Sequence, residues 1–338
     1  MGTSSATADD LRARHAYRAA SGTTFAHTAA TRSRPRHEQK IHESVDPRRL
    51  NTVGEKVREC LDSTEHPLTV PIAVGFDETG SMGSAPMLLQ EKLMTLKGAL
   101  LRAGLPDAQL LFGAYGDGSY DEVAPCQVGQ FESGLEMEDW LNNLYLEGMG
   151  GGNGGESPGL LLYFLGAHSR LDSVTKRGKK GYLILTGDES PLPVVPRGEI
   201  KRYIDDDVQG DLTIEEVVAM ARQWYEVYFF HVRTGAAEMQ GSLGVWQKLL
   251  GEQYVIPTQG LEDISEQIAL LVARLEGTVG SYAEGMDLLR AAGADPDAVA
   301  RAGSALVPFE AHANSVATVA DSEGSLPEPA TSSGTKRL

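Results

Sequence analysis

Asp77-Glu78-Thr79-Gly80-Ser81-Met82-Gly83 follows an apolar run and sets one carboxylate and two hydroxyls at positions n, n+2 and n+4. Alternate residues of an extended turn point the same way, so the three oxygens can converge. One acidic and two neutral hard oxygens suit an octahedral Mg²⁺ or Mn²⁺. Their low charge leaves such an ion electrophilic, with a position open to an incoming carboxylate. A helix needs a single cap, and Asp77, Thr79 and Ser81 with two glycines exceed that need. Another acid stands in Thr186-Gly187-Asp188-Glu189, after a second apolar run, where it can hold a metal-bound water.

These loops need a scaffold that brings them together. Four runs, TVPIAVGF (69–76), QLLFGAY (109–115), GYLILTG (181–187) and YEVYFFHV (225–232), are apolar on both faces, the pattern of parallel strands covered on two sides. Helical stretches separate them. Residues 86–103 carry Leu89, Leu93, Leu96 and Leu100 in one stripe, 213–223 opens with the capping pair Thr213 and Glu216, and 261–276 repeats the stripe at Ile264, Ile268, Leu271 and Leu275. The order predicts an α/β fold, a doubly wound, mostly parallel open sheet with helices on both faces. Ligands of such sheets bind beyond the carboxyl ends of the strands. Asp77 and Asp188 therefore share one crevice if their strands are neighbours.

An apolar strand followed by DETGSMG resembles the metal-ion-dependent adhesion site of von Willebrand factor A (vWA) domains, usually DxSxS, with Thr79 in place of the first Ser. The similarity spans roughly residues 65 to 278 and is to bacterial intracellular members of that family. It implies a vWA/Rossmann-like fold in which a second loop supplies a hydroxyl and a later strand an Asp. By that resemblance Asp188 is the second acid, although TGDE stands where TDG is commoner. Within GMGGGNGGESPG (148–159), Ser157 offers a hydroxyl and Asn153 an amide, and Ser157 matches a variant in which a hydroxyl-Pro pair opens the helix. The implied metal set is Asp77, Thr79, Ser81, Ser157 and Asp188, holding Mg²⁺ or Mn²⁺. The implied function is non-enzymatic. A protein partner would supply an Asp or Glu to the ion, and the chain would act as an adaptor or scaffold for an ATPase or another multiprotein complex.

Other chemistries fit less well. Gly150, Gly152 and Gly155 spell GxGxxG, but the preceding Leu135, Trp140, Leu141 and Leu144 have helical spacing and no Lys follows, against both dinucleotide and P-loop use. A haloacid-dehalogenase-like Mg²⁺-dependent phosphohydrolase is the alternative: Asp77 as nucleophile, Lys176 or Lys180, and Gly187-Asp188 imitate its parts. That chemistry wants a carboxylate two residues after the nucleophile, where this chain has Thr79. No GxSxG surrounds Ser81, and His168 and His231 read as packing residues in a helix and a strand.

The chain has 338 residues with 47 Asp and Glu against 30 Lys and Arg, a net charge of -17, so no general basic footprint for nucleic acid or anionic lipid exists. Residues 1–50 differ, with nine Lys and Arg against five acids, leaving about -21 on the rest. With few large apolar residues this stretch reads as a flexible arm, or as one that docks on an acidic partner or on its own body. Residues 51–278 form the expected vWA-like domain with an N-terminal helix, 279–293 a short helix, and the Ala-, Ser-, Pro- and Gly-rich 294–338 a flexible tail. Cys60 and Cys126 suit core thiols in a reducing compartment. The first residues lack a basic and apolar leader pattern and no run approaches membrane-spanning length, so a cytoplasmic location is expected.

Overall fold

The computed structural model describes residues 6–22, 26–51, 53–79, 87–88, 92–93, 95–120, 123–148, 156–233, 241–258 and 261–315. Its centre is a six-stranded, largely parallel sheet. The strands are β1 (Val70–Asp77), β2 (Ala108–Tyr115), β3 (Cys126–Val128), β4 (Gly181–Gly187), β5 (Tyr225–Val232) and β6 (Val255–Thr258), in the order β6-β5-β4-β1-β2-β3. Only β3 at one edge runs antiparallel. From β1 the chain winds outward through β2, then returns to β4 and winds the other way. The order thus reverses between β1 and β4, and the crevice of such a sheet lies at their carboxyl ends.

Side chains alternate across the sheet and make two cores. Ile72, Val74, Phe76, Leu110, Phe112, Ile184 and Phe230 face one, Ala73, Leu111, Leu183, Leu185, Val227 and Phe229 the other, and all are buried. The first core is covered by α3 (Leu96–Arg102), α4 (Glu136–Asn143) and α8 (Ile264–Glu276), the second by α5 (Pro158–His168), α6 (Ile214–Ala221) and α7 (Ser242–Leu250). Before these in the chain come α1 (Ala8–Ser21) and α2 (Ala26–Arg32), and after them α9 (Tyr282–Ala291) and α10 (Pro296–Leu306). The Thr213 and Glu216 box caps α6 as its spacing predicts. The expected stripe at 261–276 is α8, whereas half of 86–95, including Leu89, lies outside the described residues.

One packing detail sets the position of α5. Gly75 of β1 and Gly113 of β2 are register partners, and a Cβ on them would approach Leu161 to 2.4 Å and 3.1 Å. The paired glycines form a notch that Leu161 fills, so α5 lies close on the central strands. Its N-terminal residue Ser157 is thereby brought beside the carboxyl edge.

Two stretches expected to be flexible contain helices. In the arm Leu11, Thr28, Thr31 and Val45 are buried, Arg14 bonds Asp139 at 2.8 Å, Arg18 pairs with the same carboxylate, and Arg36 pairs with Glu147. This is the second of the two readings of the arm, docking on its own body, and charge complementarity supplies contact that the scarcity of large apolar residues does not. In the tail, of which 316–338 lie outside the described residues, Asp295 caps α10, Pro296 takes its first turn, and Val299, Ala302 and Leu306 are buried. Arg301 adds a two-bonded pair with Asp263 at 2.7 Å. The Ala-rich composition that reads as a tail is also that of a good helix former, and the Asp-Pro start decides between them.

Candidate metal centre

Asp77 ends β1 and is fully buried. Thr79, also buried, donates to its Oδ1 from both the backbone N–H at 2.8 Å and the hydroxyl at 2.6 Å. Oδ2 is buried with no hydrogen-bond partner among the described residues. An unpaired carboxylate oxygen in the interior costs free energy, and the chain has placed one at its topological switch point. Burial pushes the Asp77 carboxyl up to about 7, against the two Thr79 bonds, with the charges of Asp188 and Glu189 adding to the rise.

The neighbouring strand shapes the other side. β4 pairs with β1 so that Phe76 stands opposite Thr186, which sets Gly187 beside Asp77. A Cβ at Gly187 would lie 3.3 Å from Asp77 Oδ2 and 2.7 Å from the Tyr115 hydroxyl. Glycine therefore lets the Tyr115 hydroxyl and the Asp77 carboxylate pack against the backbone here. Asp188 follows immediately and is fully buried, close enough for its charge to act on Asp77 and on Tyr115. Its loop is pinned. The Ser242 hydroxyl donates to the Asp188 carbonyl at 2.6 Å and lies 2.8 Å from His231 Nε2, and Trp246 Nε1 donates to the Glu189 carbonyl at 2.8 Å. Tyr115, opposite Asp77 on β2, donates to the Thr186 carbonyl at 2.9 Å and ties three strand ends together.

Ser157 occupies the N-cap position of α5, ahead of Pro158, yet its side chain does not cap the helix. Its hydroxyl accepts from Gly118 N–H at 3.2 Å and its own N–H donates to the Gly116 carbonyl at 3.0 Å, joining it to the loop that follows β2. Asp77, Thr79 and Asp188 are thus brought together, Ser157 is held to the loop that follows β2, and Ser81 and Asn153 lie outside the described residues, as do Gly150, Gly152 and Gly155. Among the described residues no group of three or more His, Cys, Asp or Glu is disposed as a metal cluster. The expected ligand set has only two carboxylates and otherwise hydroxyls. The orphaned Asp77 oxygen and the neighbouring negative charge fit a hard divalent cation at Asp77 and Thr79.

Sequence reasoning passed over Asp117 and Ser119. They repeat the Asp77 and Thr79 pattern at the end of β2: Ser119 donates to Asp117 Oδ1 from N–H at 3.0 Å and from the hydroxyl at 2.6 Å, and Asp117 is buried. The D-x-S spacing after a second apolar run was the available signal. Glu199 packs over Gly118, where a Cβ would meet its Oε2 at 2.6 Å, and burial beside Asp117 pushes its carboxyl up to about 7. Glu156 and Glu189 are buried at the same edge.

Lysines that a phosphohydrolase would need are placed elsewhere. Lys176 pairs with Asp172 at 2.6 Å and Lys180 with Glu226 at 3.5 Å, beside the start of β4, a strand length (roughly 20 Å) from Asp77. His168 pairs with Asp206 at 2.6 Å, and His231 is buried against Ser242, both in structural roles. Cys60 and Cys126 are unpaired, buried thiols whose ionisation burial pushes up. No helix among the described residues is long and apolar enough to cross a membrane.

No protein-family model and no curated protein matches the chain. Among solved structures it is similar to the pilus adhesin SpaC of Lactobacillus rhamnosus GG in its open conformation, with 11% identity over 63% of this chain and a TM-score of 0.45. A second structure of that adhesin gives 10% identity, the same coverage and a TM-score of 0.44. The chain spans about a third of the adhesin, 31% and 32% of its length.

Proposed function

We propose that the chain is a non-enzymatic, divalent-metal-dependent protein-binding module of the vWA kind, working as an adaptor or scaffold in the cytoplasm. Asp77, Thr79 and Ser81 would hold Mg²⁺ or Mn²⁺, with Ser157 and Asp188 completing the set. The bound ion would supply an electrophilic site for a partner's Asp or Glu. A partner of this kind, such as an ATPase or a member of a multiprotein complex, is selected by the carboxylate it can present. The observation that carries the reading is the buried Asp77 carboxylate at the switch point, with one oxygen held by Thr79 and the other unpaired among the described residues. The residues have separable tasks. Thr79 fixes the Asp77 rotamer, Gly187 lets the Asp77 carboxylate pack against β4, and Asp188 contributes negative charge.

The experiment is capture of partners on the immobilised full chain in Mg²⁺, followed by elution with EDTA, with Asp77→Ala as the parallel column. A set of proteins that EDTA releases from the wild type and that the variant never retains is the expected outcome. Retention of the same proteins by both columns, indifferent to EDTA, would overturn the reading.

A further inference from the structure

The basic arm does more than cover the body, because its contacts converge on the segment that touches the metal turn. Thr28 donates its hydroxyl to the Leu144 carbonyl at 3.1 Å and accepts from Leu146 N–H at 3.1 Å. Arg32 donates to the Glu147 carbonyl at 3.3 Å. Arg36 pairs with the Glu147 carboxylate, whose side chain is wholly buried and whose other oxygen accepts from Val123 N–H at 2.8 Å and Ala124 N–H at 3.3 Å. Glu147 N–H in turn donates to the Glu78 carboxylate, and Gly148 N–H donates to the Glu78 carbonyl at 3.2 Å. Glu78 lies between Asp77 and Thr79 in the chain. An unbroken series of charged and backbone hydrogen bonds therefore runs from an arginine in the arm to the turn that presents the candidate ligands.

We propose that Arg36 and Glu147 are positioning residues for that turn: the arm clamps residues 144–148, and through them Glu78, in the arrangement that lets Asp77 and Thr79 take a divalent cation. The clamp rests on the metal reading above for its consequence, while its mechanical part stands on the hydrogen bonds alone. Arg36 is partly exposed, with 45% of its side-chain surface open to solvent, so replacing it leaves the cores untouched. Groups that orient ligands without touching the metal change metal affinity by roughly 10- to 100-fold when removed.

The test compares full-length wild type, Arg36→Gln and Arg36→Lys. Free Mn²⁺ is followed by electron paramagnetic resonance, and amide exchange at residues 78 and 144–148 is followed in metal-free protein. Arg36→Gln should bind Mn²⁺ about tenfold more weakly, exchange faster at those amides, and keep the exchange rates of β4 and β5. Arg36→Lys, which retains the charge, should recover most of the affinity. Unchanged exchange in Arg36→Gln overturns the clamp, whatever the metal result. Faster exchange with unchanged Mn²⁺ affinity, or equal losses in the Gln and Lys variants, overturns its link to the metal turn. A wild type that takes up no Mn²⁺ overturns the metal reading and this consequence with it, and the exchange rates still decide the clamp.

Discussion

Raising the pH of metal-free protein from about 4 to about 7 is expected to lower its stability, by an amount on the order of a few kcal/mol, through Asp77. Its carboxyl ionises near 3.8 in an unfolded chain and is pushed up to about 7 in the folded one, chiefly because burial disfavours the anion. The sign follows from proton counts. Between those two values the folded chain holds a proton that the unfolded chain has released, so each step up in pH favours unfolding. The favourable difference is complete below about 4, fades through the window, and the penalty is constant above about 7. Asp77→Asn should abolish this slope while keeping an oxygen to accept from Thr79. Urea unfolding in metal-free buffer should show the variant equal to wild type near pH 4 and several kcal/mol more stable at pH 7.5. Parallel pH profiles would mean that Asp77 is not the strained group. Glu199 shifts in the same direction, but it is half-exposed, and solvent screening reduces its effect.

The second large effect concerns the partner. EDTA and Thr79→Ala are each expected to weaken the captured complex by 100-fold or more, because the partner's acid would then be desolvated without its cation. The same substitution should cost the fold little. Thr79 loses one hydroxyl bond to Asp77 and keeps the backbone bond, a change on the order of 1 kcal/mol. Thermal midpoints of wild type and variant measured without metal should therefore lie close together while their affinities diverge. A complex that survives both treatments would reduce the DETGS turn to a local hydrogen-bonded turn.

What was legible in the sequence is what periodicity and spacing encode. Apolar runs ending at Asp77 and at Gly187 mark central strands, and strands of that kind place their following acids at one edge, as the β1 and β4 pairing does. Thr213 and Glu216 announced their helix through a local bond that needs no tertiary knowledge. Short strands were not legible. Cys126–Val128 and Val255–Thr258 have too few residues to show a period, and their strand character comes from pairing with β2 and β5. The Leu161 notch was hidden for a related reason, because Gly75 and Gly113 become partners only once the register is set. Docking on its own body is one of the two readings of the arm, and composition could not choose it because it records the missing apolar bulk and not the buried acids, Glu138 and Glu147, that the arginines meet. Ser157 looked like a helix cap, yet its hydroxyl bonds the β2 loop, a choice made by tertiary packing.

The most direct measurement is the stoichiometry of Mn²⁺ binding to the full chain and to Asp77→Asn at pH 7.5, read as loss of the free-ion signal in electron paramagnetic resonance. One Mn²⁺ per wild-type chain, displaced by Mg²⁺, and none on a variant that remains folded is the result this account predicts. Equal uptake by the two proteins, or none by either, would contradict it.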